Sequence, residues 1–340
     1  MLNWDELLRA QPTILTVVGM AKNAGKTVTL NYLLKALHAR GQRLGLTSVG
    51  RDGERFDALT NLPKPPICVQ AGTLVATAYP GGPDGQAWEL VAKTGIFTPV
   101  GEVFILRAKA AMPAVVAGPS KNTEVKFVAH LLTRLGAGCV LIDGAFDRQS
   151  SADPLLSNQV ILATGATLSR NLEQLINFTR CRVEQLTLPA CQDHDVLEEA
   201  RLTTAKVVLW QGAGRQEHEV ATSLLTRQEW LDLMAGGGGV LMIRGAVGDG
   251  LGEALRLAAR PPRLVVQDGR KIFISPDLWR LLRAKHVIIE VEHPINLLAV
   301  AVNPTFPGGT GFDPDDLLRA MGEALAPLPV IDALRGIKFV

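Results

Sequence analysis

The residues best placed to do chemistry lie in "GMAKNAGKT", Gly19 to Thr27. A glycine, a lysine and a hydroxyl residue stand in succession at Gly25, Lys26 and Thr27. At a strand-to-helix turn, these groups can hold a triphosphate and its Mg²⁺. The amides of Asn23, Ala24, Gly25 and Val28 are expected to point at phosphate oxygens, aided by the positive end of the helix. Lys26 is expected to reach the β- and γ-phosphates, and Thr27 to offer its hydroxyl to the metal. The usual spacing, G-x-x-x-x-G-K-[ST], puts Met20 where the first glycine belongs, and the glycine sits one step earlier at Gly19. Lys22 adds a second positive charge inside the loop, either as a solvated lysine attracted to phosphate or as a direct ligand.

A metal-nucleotide site also needs carboxylates. "CVLIDGAFD" places Asp143 directly after a buried apolar run, where a rigid strand end can hold an acid near the metal, as in a Walker B segment, with a helix-cap or turn aspartate as the alternative. "TSVGRDGERFD" offers Asp52, Glu54 and Asp57. Asp52 stands nearest its strand and is the candidate for a metal-water or switch role, with an Asp-Gly turn as the alternative. Asn303 closes "LLAVAVNP"; its amide can donate and accept, which would allow it to read a purine base, whereas Asn-Pro is also a plain turn signal.

The elements around these residues have the required pattern. "TILTVVG" is a short, β-branched, continuous apolar run, the mark of a strand buried on both faces. "TVTLNYLLKALHARG" carries leucines at helical spacing and stops at Gly41. "RLGLTSVG", "EVFILRAK", "PAVVAG", "CVLIDGAFD" and "QVILATGA" read as further strands, and "EVKFVAHLLTRLG" and "NLEQLINFTRC" as helices. This alternation predicts an α/β fold of the P-loop NTPase type, a mainly parallel sheet flanked by helices. Ligands in such sheets bind beyond the carboxyl ends of the strands, where all three motifs fall. The Pro- and Gly-rich stretch Asn61–Gly85 is too long for a simple connection and reads as an excursion, a lid or partner surface.

After about Pro189 strands and helices continue without nucleotide signals. Residues 1–190 are read as the nucleotide-binding domain and 191–340 as a second, C-terminal α/β domain; alternatively, the later strands extend the first sheet. "PRLVVQDGRKIFIS" reads as a hairpin turning at Asp268-Gly269. The acid-His-acid stretches around His194 and His218 look like metal ligands at first sight, yet their polar setting reads as solvated surface.

The chain has 340 residues, 47% apolar and 20% charged, with a net charge of +2. That composition supplies a full core and excludes a disordered chain. With no long Lys/Arg run there is no electrostatic footprint for nucleic acid. No apolar run reaches 18 residues, so no membrane span is expected. "MLNWDELLRAQPT" carries acids and lacks an apolar h-region, so no signal peptide is expected. Cys68, Cys139, Cys181 and Cys191 form no C-x-x-C pair, and the expectation is a cytoplasmic protein with free thiols.

The five residues between Gly19 and Gly25 resemble the loop of dethiobiotin synthetase, and "LIDGAFD" is similar to the segment ending the metal-binding strand there and in cobyrinate amidases. That similarity covers roughly the first 190 residues and implies the signal-recognition-particle/MinD/BioD class of nucleotide-loop proteins. The chain departs from it where "TSV" replaces the substrate-binding "KPV" and no carbamate-forming lysine follows; the class's signature-lysine position is Ala21, one step before Lys22. A longer resemblance, through "GMAKNAGKTVTLNYLL", "TSVGRDGERFDALTNLPKP", "LIDGAFDRQSSADP" and "AVNPTFPGGTGFDPDDLL", is to the reactivase subunit of lysine 5,6-aminomutase and ornithine 4,5-aminomutase. It implies an ATP- and Mg²⁺-using chaperone working with a MutS-like ATPase subunit on a cobalamin- and PLP-dependent aminomutase client, and a homodimer is compatible with it. The alternative is an ATP-dependent ligase or kinase acting on a small molecule. No cobalamin-binding D-x-H-x-x-G occurs in the chain.

Overall fold

The computed structural model describes residues 13–52, 66–79, 85–144, 154, 156–212, 214–219, 221–306 and 310–339. The chain divides into two compact units, residues 1–176 with 296–340, and residues 177–295.

The first unit begins with β1 (Thr13–Gly19), α1 (Lys26–His38), β2 (Leu44–Ser48) and β3 (Arg51–Asp52). β4 (Ile67–Val69), β5 (Leu74–Ala78), β6 (Trp88–Thr98), β7 (Gly101–Ala108), β8 (Met112–Ala114) and β9 (Val116–Ala117) follow. Next come α2 (Asn122–Arg134), β10 (Cys139–Asp143) and β11 (Gln159–Gly165), and then α3 (Leu172–Leu186), which starts in this unit and passes into the second at residue 177. The second unit holds α4 (His194–Leu202), β12 (Val207–Gln211), β13 (Gly214–His218), α5 (Arg227–Leu233), β14 (Val240–Ile243) and β15 (Val247–Gly248). It continues with α6 (Asp249–Leu257), β16 (Arg263–Val266), β17 (Ile272–Phe273), α7 (Pro276–Ala284) and β18 (Ile289–Val291). The chain then returns to the first unit with β19 (Leu297–Asn303), α8 (Pro314–Leu325), β20 (Val330–Asp332) and β21 (Ile337–Phe339).

The first unit is α/β, built on a ten-stranded sheet in the order β21-β20-β19-β11-β1-β10-β2-β5-β7-β6. From β20 to β5 every neighbouring pair is parallel; β21, β7 and β6 add antiparallel pairings at the two margins. The parallel strands are buried along most of their length, as a sheet covered on both faces requires. Leu15, Val17 and Leu141 face the leucine stripe of α1, namely Leu30, Leu33, Leu34 and Leu37. Ile14, Val140 and Ile142 face the opposite way, onto Val125, Val128 and Ala129 of α2. Each fully buried leucine of α1 contributes about 1.5–3 kcal/mol, which anchors the helix whose first turn borders the loop.

β1 lies between β10 and β11 and is parallel to both. From β1 the chain runs by way of α1 to β2, on the β10 side; after β10 it crosses to β11 on the other side. β1 is therefore the switch point of the sheet, and its carboxyl end opens into the crevice where ligands of such sheets bind.

The second unit has a five-stranded sheet, β13-β12-β14-β16-β18, with β14, β16 and β18 parallel. Val207, Leu241, Leu264 and Ile289 pack with Trp230, Leu255, Trp279 and Leu282 in a core of its own. Val208 and Met242 point the other way, onto Ala200 of α4.

Three sequence expectations need correction. The division does not fall at residue 190: the separate unit is an insertion of residues 177–295, and β19 and β20 rejoin the first sheet beside β11. The Asn61–Gly85 stretch is not a plain excursion, because its centre is β5, a fully buried strand paired to β2 and β7; residues 61–65 and 80–84 lie outside the described residues. Asp268-Gly269 does not turn a hairpin. Asp268 is buried and its carboxylate accepts from the backbone and guanidinium of Arg270, closing a 3-10 turn. The chain then leads into β17, which pairs with β15 in parallel.

Candidate functional site

The sheet ladder fixes where the loop begins. Gly19 is the last residue of β1, and the Met20 amide still bonds to the Ala163 carbonyl of β11 at 2.9 Å. Residue 20 thus remains tied to the neighbouring strand. The Lys26 side chain crosses over Gly19: a Cβ on Gly19 would lie 3.0 Å from Lys26 Cγ. A side chain at 19 would crowd the Lys26 stem, which would have to give by a few tenths of an ångström.

The loop turns through two left-handed residues, Asn23 at φ 57° and Gly25 at φ 98°. Gly25 is the N-cap of α1 and offers no side-chain cap. The first-turn amides, including those of Thr27 and Val28, therefore point out of the helix end into the crevice. Thr29 tightens the turn, with both its amide and its hydroxyl bonded to the Gly25 carbonyl. Lys22 and Thr27 are both partly exposed, and Ala24 is buried.

Lys26 and Asp143 form the charged centre. Lys26 Nζ donates to Asp143 Oδ1 at 3.2 Å, and also to the Gly144 carbonyl. The Asp143 side chain is fully buried and that of Lys26 is 13% exposed. Asp143 ends β10, held between Val17 of β1 and Ser48 of β2. A Lys-Asp pair at the mouth of a loop rich in outward amides can receive an oxyanion on the lysine and present a carboxylate to a hard cation. Thr27 and Asp143 supply the hard oxygen donors suited to Mg²⁺. Among the described residues no cluster of three or more His, Cys, Asp or Glu forms a metal cage.

Asn303 sits beside this loop, although 280 residues separate it from Asn23 in sequence. β19 ends there, paired through Asn303 to Gly165 of β11. Its Nδ2 donates to the Asn23 carbonyl at 3.0 Å, and its Oδ1 accepts from the amide and hydroxyl of Thr305 at 3.1 and 2.7 Å. Both oxygen lone pairs are thus engaged. Asn303 shapes the loop from behind, and its oxygen is not open to a base edge.

Asp52 lies on β3, where its backbone pairs with Val116 of β9. Glu54 and Asp57 fall outside the described residues, as do 145–150 of the segment after Asp143.

No family model and no curated protein matches this chain.

Sequence reasoning missed several participants. The Ala163 and Gly144 carbonyls are backbone groups without a residue signature. A second missed feature lies on the β11 side, where the Arg170 guanidinium rests 4.1 Å above the centre of the Phe306 ring. Asn171 and Ser169 do carry a local signal. Asn171 Oδ1 accepts from the Gln174 amide and Ser169 Oγ from the Asn171 amide, a capping pattern that sets Arg170 just before α3. His194 stands exposed at the start of α4, as a solvated surface position, whereas His218 at the end of β13 is only partly exposed and its Nε2 is buried.

Proposed function

We propose that this chain is a P-loop protein that binds a Mg²⁺-nucleoside triphosphate at Gly19–Val28 and uses its binding and hydrolysis as a conformational switch. The observation that carries the reading is the path of Lys26 over Gly19 to Asp143, at the switch point of a parallel sheet. Lys26 would leave Asp143 for the β- and γ-phosphate oxygens, and the amides of Asn23 to Val28 would enclose the phosphates. Thr27 and Asp143 would hold Mg²⁺, directly or through water, and the metal when bound would neutralise charge on the phosphate oxygens. Exchange of the Lys26–Asp143 pair for ligand bonds would change what holds the end of β10, and residues 145–150 follow directly in the chain.

The resemblance to aminomutase reactivase subunits makes the nucleotide ATP and the client a cobalamin- and PLP-dependent aminomutase, with a MutS-like ATPase subunit as co-worker. A chaperone of that kind turns over slowly alone, because a complementing cation or partner is missing. The test is ATP hydrolysis by the chain alone, with an aminomutase, and with candidate small molecules. Slow basal turnover that rises with the protein client supports the reading. Steady turnover driven by a small molecule without any protein partner would overturn the switch in favour of a ligase or kinase.

A further inference from the structure

The Lys26–Asp143 side of the crevice lies toward β10, which leaves the β11–β19 side for the rest of a nucleotide whose phosphates would lie in this loop. There the sequence offers Asn303 as a base reader, but its oxygen is filled by Thr305 and its amide is tied to Asn23. What this edge does present is a guanidinium laid over an aromatic ring. Arg170, five residues beyond the end of β11, lies over Phe306, three residues beyond the end of β19. β11 and β19 are hydrogen-bonded neighbours to their last residues, Gly165 and Asn303. The Ala166 amide bonds to the Asn303 carbonyl at 3.0 Å, which keeps the two departing segments together.

Arg170 is exposed, Phe306 is partly exposed, and Arg170 makes no ion pair with a carboxylate among the described residues. An arginine held by a ring face keeps its charge and planar surface for a third partner. Aromatic and guanidinium planes are what nucleobases stack on, and such stacking is tolerant of which base edge is presented.

We infer that Arg170 and Phe306 form the platform on which the base of a bound purine nucleotide stacks. This inference rests on the phosphate-loop reading above and deepens it. Because the platform recognises a π-face and Asn303 has no oxygen to give, adenine and guanine bind almost alike. A pyrimidine, with the smaller face, binds less well.

The test compares Mg-ATP, Mg-GTP, Mg-CTP and Mg-tripolyphosphate binding to the full chain by calorimetry. ATP and GTP are expected within about threefold of each other, and CTP roughly tenfold weaker. Phe306→Leu and Arg170→Ala should each weaken ATP by about 5- to 100-fold and leave tripolyphosphate within about twofold, whereas Phe306→Tyr should retain ATP. Unchanged melting of the variants without nucleotide shows that they fold. Equal losses for ATP and tripolyphosphate, unaltered ATP affinity in both variants, or a preference for ATP over GTP above tenfold would each overturn the platform while leaving the phosphate loop standing. Failure of the unmutated chain to bind either ATP or tripolyphosphate would overturn both.

Discussion

Lys26 Nζ, at the first residue of α1, and Asp143 Oδ1, at the last residue of β10, stand 3.2 Å apart, with the carboxylate fully buried. In the proposed function this pair would have two jobs, to hold the loop to the end of β10 and to separate for a polyphosphate.

Lys26→Ala should therefore show two effects. Without nucleotide, loss of a charge-assisted bond to a buried acid should cost about 1–3 kcal/mol. With nucleotide, the unmutated chain at about a hundred times its dissociation constant gains roughly 2.7 kcal/mol, and the variant should gain almost nothing. Differential scanning calorimetry with and without Mg-ATP reads both. An equal nucleotide-induced shift in the variant would rule out Lys26 as a phosphate ligand.

Asp143→Asn keeps the shape and removes the charge. Nucleotide should still bind, but the difference between Mg²⁺ and EDTA in the calorimetric shift should shrink. An unaltered Mg²⁺ dependence would place the metal on other residues.

The thiols offer a check on the fold itself. Cys68 is exposed on β4, and Cys139, Cys181 and Cys191 are buried. Burial pushes the thiols of Cys139 and Cys181 up to about 12, so neither is a thiolate near neutral pH. One thiol should react quickly with an aromatic disulfide reagent, and Cys68→Ser should abolish that phase. Three or four fast thiols in the native chain would contradict the packing.

Acid should weaken the second unit through Asp193. Its carboxyl is held below the usual range, first by the hydrogen bond from Arg263 and then by the Val196 amide at the start of α4. A lowered folded-state value means that this stability is present above the unfolded value of about 3.9. It is lost as pH falls through the folded value. Trp210, Trp230 and Trp279 all lie in this unit and report on it. Asp193→Asn should lower the urea midpoint near neutrality by a modest amount, since the pair is partly solvated, and flatten the decline in acid. A variant with the full acid decline would remove Asp193 from its cause.

The loop and its strand were legible because their signals are local. β1 and β10 are continuous apolar runs, α1 has one leucine stripe, and Gly-Lys-Thr falls between them. The missed parts depend on partners distant in sequence. β6 is an edge strand whose faces are half exposed, so "WELVAKTGIFT" shows no clean alternation. β5 is a buried strand hidden between Pro- and Gly-rich flanks. β19 reads like any buried strand, and nothing in its seven residues announces that its neighbour is β11 rather than β18. Asn303 shows the same limit at the site. Its residue type allows base reading, and only the distant Asn23 carbonyl and the adjacent Thr305 show that its oxygen and one of its two N–H groups are already engaged.

That commitment makes Gly25 doubly constrained. Its φ of 98° disfavours any side chain, and a Cβ there would lie 2.9 Å from Asn303 Cβ. Gly25→Ala should cost roughly 1–2 kcal/mol from the left-handed backbone alone, plus the displacement of Asn303 from the back of the loop. Asn303→Gly in the same chain relieves the second term and not the first. Calorimetry of the single and double variants separates them: the double variant should recover part of the melting temperature lost to Gly25→Ala, without regaining the Mg-ATP shift, because the amide of Asn303 no longer holds the Asn23 carbonyl. Strict additivity of the two substitutions would show that Gly25 and Asn303 are not in contact in solution and that the loop is shaped from elsewhere.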